Sequence, residues 1–189
     1  MKIRIVAPLL AALALALCAG GCGGGGSAGS APQKVFAIGT VNRIDSLNPF
    51  VLTLPQAFYV ADVVYPSLVS YAGPDGTKIV GDWASSWTTS SDGRTFTFKL
   101  RPGSWSDGKP LTAADAVWTI KTELRYRNGA TALVAAALAG IDQVSAPDPH
   151  TLVIHYKRPV GNALAQLASV WILPQHVWQA HTGNNGGVG

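Results

Sequence analysis

Hydrophobic and polar positions alternate most strictly between Thr95 and Arg101, where Phe96, Phe98 and Leu100 share one face and Thr95, Thr97, Lys99 and Arg101 the other. A period of two predicts a half-buried strand. Ser91-Asp92-Gly93 precedes it with residues that tolerate left-handed turn geometry, so Trp87 to Thr89 is expected to pair back across a hairpin. Ser106-Asp107-Gly108 predicts a second turn. Thr112 then stands three residues before Asp115, a capping box with a short acid, and Val117, Ile120 and Leu124 follow at helical spacing. The predicted helix runs from Thr112 to Asn128, with Arg125 and Arg127 near its end where cations suit the dipole, and Gly129 stops it.

The same reading extends over the rest of the chain. Lys34 to Thr40 predicts a short buried strand, and VNRIDSLNPF after it a turn-rich loop. Leu54, Phe58, Ala61, Val64 and Tyr65 recur at three and four residues, predicting an amphipathic helix over Leu54 to Leu68. Gly73-Pro74-Asp75-Gly76 predicts a turn, and Thr131 to Ala139 an Ala-rich helix. Val144 to Ala146 and Thr151 to Lys157 flank Pro147-Asp148-Pro149-His150 as a further hairpin, with Leu152, Ile154 and Tyr156 inward and His155 outward. Val160 to Ala168 predicts a last helix.

Composition changes the picture at the N-terminus. Lys2 and Arg4 precede an apolar run from Ile5 to Leu17, and small residues Ala19-Gly20-Gly21 follow, so residues 1–21 predict an export signal. An uncleaved anchor is the other reading, although the run is shorter than the ~20 residues a spanning helix needs. Residues 22–33 are Gly- and Ser-rich and predict a flexible tether. A phosphate-cradling loop fails there for want of a preceding strand and of a Gly-Lys-Ser/Thr. The net charge of +4 includes Lys2 and Arg4, and no basic run exists, so nucleic acid is not an expected partner. With 48% hydrophobic residues and six tryptophans, residues 34–189 can bury a sizeable core. Both cysteines, Cys18 and Cys22, lie in the N-terminal segment, so no disulfide framework is available to the folded part.

The run DWASSWTTSSDGRTFTFKLRPGSWSDGKPLTAADAVW closely resembles a segment of the extracytoplasmic solute-binding proteins of peptide, oligopeptide and nickel ABC importers. That family's pattern reads loosely LAxSWxxSxDGxTxTFxLRxGVxWxDGxPxTAxDVxx. Sixteen positions match, from Trp87, Asp92 and Gly93 through Phe98, Leu100 and Arg101 to Trp105, Asp107, Gly108, Pro110, Thr112 and Asp115. Asp82-Trp83-Ala84 and Ser104 depart from it. The likeness continues through Leu47-Asn48-Pro49, the 144–157 hairpin with Pro159, and Trp171 to Trp178, which is similar to the family's xIxPKHxW step with Gln175 in place of Lys. It covers residues 34–178 and implies the N-terminal part of a longer, two-lobed protein.

The resemblance implies an α/β, periplasmic-binding-protein-like (class II) lobe, incomplete, with a mixed sheet and flanking helices and hairpins. It implies a peptide or other small solute as ligand and a membrane ABC permease as partner, with no cofactor, no catalysis and a monomeric state. In that family the loop after the first strand touches ligand, which carries Arg43, Asp45, Ser46, Asn48 and Phe50 forward as solute-contacting candidates. A cysteine directly after small residues is similar to the bacterial lipobox, with Ala19 where Leu is usual, and implies lipidated Cys22 as the mature N-terminus on the outer face of the membrane. Metal chemistry is not expected, since His150, His155, His176 and His181 fall in a turn, on a strand face, after a proline and in a tail. Neither G-x-S-x-G nor H-E-x-x-H occurs. A secreted lipoprotein hydrolase with its nucleophile elsewhere and a surface lipoprotein without transport are the alternatives. Labelled palmitate separates the anchoring readings: it should mark the wild type and not Cys22→Ser, and equal labelling of both would show that Cys22 is not the acceptor.

Overall fold

A computed structural model describes residues 37, 39–41, 43–126 and 131–182. The chain divides into two compact units, Met1–Gly39 and Thr40–Gly189. All of the first but Ala37 and Gly39 lies outside the described residues, and with it the expected signal, tether and Cys22. Of the strand expected over Lys34 to Thr40, only Ala37, Gly39 and Thr40 are described, and they carry no regular structure.

In the second unit the alternating segment is strand β4 (Thr95–Leu100), an inner strand of a four-stranded sheet ordered β3–β4–β6–β5. Its neighbours β3 (Ala84–Thr89) and β6 (Thr151–Tyr156) pair with it antiparallel, and β5 (Ile141–Asp148) pairs antiparallel with β6. The register Trp87↔Phe98↔Leu152 puts three large apolar side chains in one row. Phe96, Phe98 and Leu100 are buried as the alternation predicts, and Leu152, Ile154 and Tyr156 continue the buried face on β6. The β3–β4 turn closes where expected: the Gly93 N–H donates to Ser90 O at 2.9 Å, with Gly93 at φ +68°, a conformation costly for any residue with a Cβ. β5 is longer than the three residues its apolar pattern suggests, because it is an edge strand in which only Ile141 and Val144 are shielded and the other positions are exposed.

A second, two-stranded sheet pairs β1 (Val69–Ala72) with β2 (Lys78–Gly81) across the predicted Gly73–Gly76 turn. Backbone bonds from Trp83 N–H to Ser67 O (2.9 Å) and from Ala84 N–H to Leu68 O (3.0 Å) tie it to the start of β3. A Cβ at Gly81 would lie 2.1 Å from Ala84 O, so this junction requires glycine.

Helix α1 (Pro55–Val64) is shorter than the expected 54–68, because Tyr65 turns extended ahead of Pro66. Its buried positions are the small residues Ala57 and Ala61, while Val64, expected inward, is 57% exposed. Helix α2 (Ala113–Arg125) starts as predicted, with Asp115 Oδ2 accepting the Thr112 N–H at 3.0 Å. Its buried face is Ala113, Ala116, Thr119 and Ile120 together with Thr122 and Glu123, whereas Val117 and Leu124 are only partly buried. Arg127, Asn128 and Gly129, the predicted end of this helix, lie outside the described residues. Helix α3 (Thr131–Leu138) follows, and α4 (Ala163–Leu167) and α5 (Gln175–Trp178) are short. Among the described residues no helix is long and apolar enough to cross a membrane.

Glu123 sits 6% exposed on α2, and its Oε2 has no hydrogen-bond partner among the described residues. Burial pushes its carboxyl from 4.5 up to about 8.

Two predictions follow from this packing. Phe98 is fully buried and Thr97, its neighbour in sequence, faces the other side of the sheet. Phe98→Ala should therefore cost about 3–5 kcal/mol and Thr97→Ala no more than about 1 kcal/mol, read from circular dichroism melts. A more damaging Thr97→Ala would reverse the assigned faces. For Glu123 the folded state holds the proton over a range where the unfolded chain has lost it. Stability should fall as pH rises from about 4.5 to about 8, by on the order of 1.4 kcal/mol per pH unit, and level off above. Glu123→Gln should flatten that slope, and urea midpoints at pH 5, 6.5 and 8 measure it.

Candidate functional site

The loop Arg43–Phe50 is held by its own polar groups. The Ser46 hydroxyl accepts the Asn48 N–H at 3.0 Å, and Asn48 Oδ1 accepts the Phe50 N–H at 3.0 Å. Asn48 O takes the Val51 and Leu52 N–H groups at 3.1 and 3.2 Å. Asp45 reaches forward to the start of α1, where Oδ2 accepts the Thr53 N–H at 2.7 Å, the Thr53 hydroxyl at 2.5 Å and the Leu54 N–H at 3.1 Å. Leu54 occupies the cap position without a side-chain cap bond, and Asp45 instead holds the Thr53 and Leu54 N–H groups that lead into the helix. The Thr53 hydroxyl, and then the two backbone donors, hold the Asp45 carboxyl below its ordinary range. Arg43 is exposed and makes no ion pair among the described residues.

Phe50 differs from a ring presented to solute. It is 2% exposed and meets Trp118 and Trp178 edge-on, at centroid distances of 6.3 and 5.9 Å. Phe50 thus anchors the loop between α2 and α5. Leu52 is buried too, in a smaller cluster with Ala57 and Ala61 that Phe58, Tyr65 and Trp171 complete. The two tryptophans were visible in the sequence, but nothing local marks them as partners of a phenylalanine 68 and 128 residues away in the chain.

Asp115 joins the wall behind this loop. It is 6% exposed, and while Oδ2 caps α2, Oδ1 accepts the Gln175 N–H at 3.0 Å. One turn on, the Thr119 hydroxyl donates to Asp115 O at 2.8 Å and accepts the Leu173 N–H at 3.0 Å. These bonds set the 173–178 step against α2 and fix Trp178 where Phe50 meets it. The same step and the 104–111 turn enclose a cavity of about 430 Å³ lined by Tyr65, Trp105, Leu111, Val177 and Trp178, with Asp107 and His176 among its polar members. His176 Nε2 lies 2.8 Å from Asp107 Oδ2. The Lys109 N–H first, and then His176, hold the Asp107 carboxyl low, and burial pushes the Tyr65 hydroxyl up.

His155 and His176 each face one aspartate, Asp142 at 2.6 Å and Asp107 at 2.8 Å. No group of three or more His, Cys, Asp or Glu able to hold a metal ion occurs among the described residues.

Comparison with known proteins agrees with this geometry. The family described as bacterial extracellular solute-binding proteins, family 5 (middle region), matches residues 78–187. A Brucella ovis protein that bears the name of an ABC transporter peptide-binding protein is 45% identical over 100 residues, covering 52% of this chain and 18% of its own. Among solved structures, an Agrobacterium tumefaciens binding protein in complex with agropinic acid superposes with TM-score 0.62 at 28% identity, covering 77% of this chain and 29% of its own. Haemophilus influenzae OppA in complex with the peptide RPPGFSPFR gives TM-score 0.61 at 27% identity, covering 76% and 31%. The chain spans about a fifth of the length of the curated relatives it first matches, 18% in the Brucella case.

Proposed function

The chain belongs to the bacterial extracellular solute-binding proteins of family 5, and from that premise we propose that it serves as the substrate-binding component of an ABC importer, capturing peptides or similar small solutes outside the cytoplasm and handing them to a membrane permease. The observation that carries this reading is the loop Arg43–Phe50, locked by Asp45, Ser46 and Asn48 and anchored by Phe50 on two tryptophans, in a chain whose fold is shared with a peptide-bound relative. A loop that keeps its shape before ligand arrives loses little conformational freedom on binding. Solute meets Arg43 and the outer surface around Ser46 and Asn48, while Phe50 acts from beneath as the support. The protein works by binding and release, without chemistry of its own. Lipidation at Cys22 keeps it, as a monomer, at the outer face of the membrane, where solute is captured next to the permease.

The test is titration of the full chain with a mixed di- to pentapeptide library, followed by NMR line broadening of the peptides. Binding should be weak, roughly millimolar, because an exposed loop covers one side of a ligand whereas enclosed pockets bury most of it. Micromolar affinity would locate the solute in a more enclosed site than this loop, and the absence of any binding would remove the reading.

A further inference from the structure

The four-stranded sheet ends in two edge strands, β3 and β5, and the two are finished differently. β5 carries Asp142, Pro147 and Asp148 and shifts register twice, between Ile141 and Gln143 and between Ser145 and Asp148. Charges, prolines and bulges are the devices that keep an edge from pairing with a foreign strand. β3 has almost none of them. Residues 84–91 read Ala-Ser-Ser-Trp-Thr-Thr-Ser-Ser, without a proline or an ionisable side chain, and the one irregularity lies between Ala84 and Ser86.

The hydrogen bonds fix which groups of β3 face outward. Residue pairs of antiparallel neighbours alternate between those that bond to each other and those that do not. Ser90 N–H donates to Thr95 O at 2.9 Å, so Ser90 faces β4, and on the far side of β4 Leu100 N–H donates to His150 O at 2.9 Å. Counted from either end, Thr88 opposite Thr97 turns its backbone toward β4, while Trp87 opposite Phe98 and Thr89 opposite Phe96 turn theirs away. The N–H and C=O groups of Trp87 and Thr89 therefore point off the edge of the sheet. Nearer the start of β3 the edge is covered, because Ala84 N–H donates to Leu68 O at 3.0 Å. At the other end the turn begins at Ser90, whose carbonyl takes the Gly93 N–H at 2.9 Å. The open edge is thus residues 86–90, with Thr88 at its centre.

We infer that this edge pairs antiparallel with the same edge of a second copy, about a two-fold axis at Thr88, so that two sheets join into one. A closed two-fold contact needs a surface that complements itself, and the open edge does. In this register Trp87 of each copy lies opposite Thr89 of the other, and each such pair exchanges both of its N–H···O bonds. Thr88 meets Thr88 on one face, and Ser86 meets Ser90. Aromatic with β-branched and Thr with Thr are favourable cross-strand pairs, and no charge meets its like. Trp87, half-buried against Phe98 at a centroid distance of 6.5 Å, gains cover from Thr89 of the second copy. One short strand buries far less than the ~1,200 Å² of a stable interface, so the chain is a monomer when dilute and pairs when crowded. The pairing does not depend on what the 43–50 loop binds.

The test is sedimentation velocity on the full chain. From about 10 μM to about 1 mM the wild type should pass from monomer to dimer, near the top of that range. Thr88→Lys and Thr88→Glu each put like charges on the two-fold axis, and each alone should weaken association about tenfold or more. An equal mixture of the two variants sets Lys against Glu and should associate at least as tightly as the wild type. Thr88 is exposed, so circular dichroism melts of both variants should match the wild type, which separates lost pairing from lost folding. A wild type that stays monomeric throughout overturns the inference. So does association that neither substitution weakens, which would run through another surface, and so does a mixture that associates no better than either variant alone.

Discussion

The row Trp87–Phe98–Leu152 is the constraint on which the rest of the unit depends. β4 hydrogen-bonds on both edges, so its register is set twice, and a slip of one residue would carry Phe96, Phe98 and Leu100 to the solvent face together. Every element that shapes the candidate site hangs from this strand. β3 leads back to Trp83, whose Nε1 donates to Arg101 O at 2.8 Å and so closes the end of the hairpin. Leu100 N–H donates to His150 O, and Ala113 N–H to Pro149 O, both at 2.9 Å, which brings the start of α2 to the β5–β6 turn. The sheet therefore dictates where Asp115 begins its helix, and Asp115 dictates where the 173–178 step lies.

From there the loop is placed at second hand. Trp178 is fixed by the bonds of Asp115 and Thr119 to the backbone of the step, Phe50 is fixed by Trp178 and Trp118, and Asn48 and Asp45 are fixed by the turn that Phe50 ends. The links run from the buried bond of Thr119 through the ring contacts of Phe50 to the exposed bonds of Asp45, so the loop's shape is inherited from the sheet.

Most of the hairpins and the start of α2 were legible in the sequence because their signals are local. Gly93 and Gly76 supply positive φ, Thr112 and Asp115 lie within one turn, and strict alternation marks β4 and the inner positions of β6. The misreadings came where tertiary contact overrode local pattern. On α1 the apolar spacing suggested Val64 inward, yet the helix approaches its neighbours closely enough to bury Ala57 and Ala61, and the larger residues turn outward. On α2, Thr119 was unremarked between Val117 and Ile120, but its hydroxyl bridges Asp115 O to the N–H of Leu173, 54 residues beyond Thr119, a service no periodicity announces. Phe50 was legible as important and not as buried, because the rings that enclose it come from far along the chain.

The candidate loop shows how hydrogen-bond accounting decides chemistry that residue identity leaves open. Read as letters, Arg-Ile-Asp-Ser-Leu-Asn-Pro-Phe is a mixed segment with donors, an acid and apolar residues in equal claim on a solute. Folded, Asp45 braces the entry to α1 through Thr53 and Leu54, Ser46 and Asn48 have become turn bonds, and Pro49 and Phe50 are buried. What remains exposed to water is Arg43, Ile44, Asp45 and Leu47. The polar residues hold the backbone in place and the large aromatic holds it down.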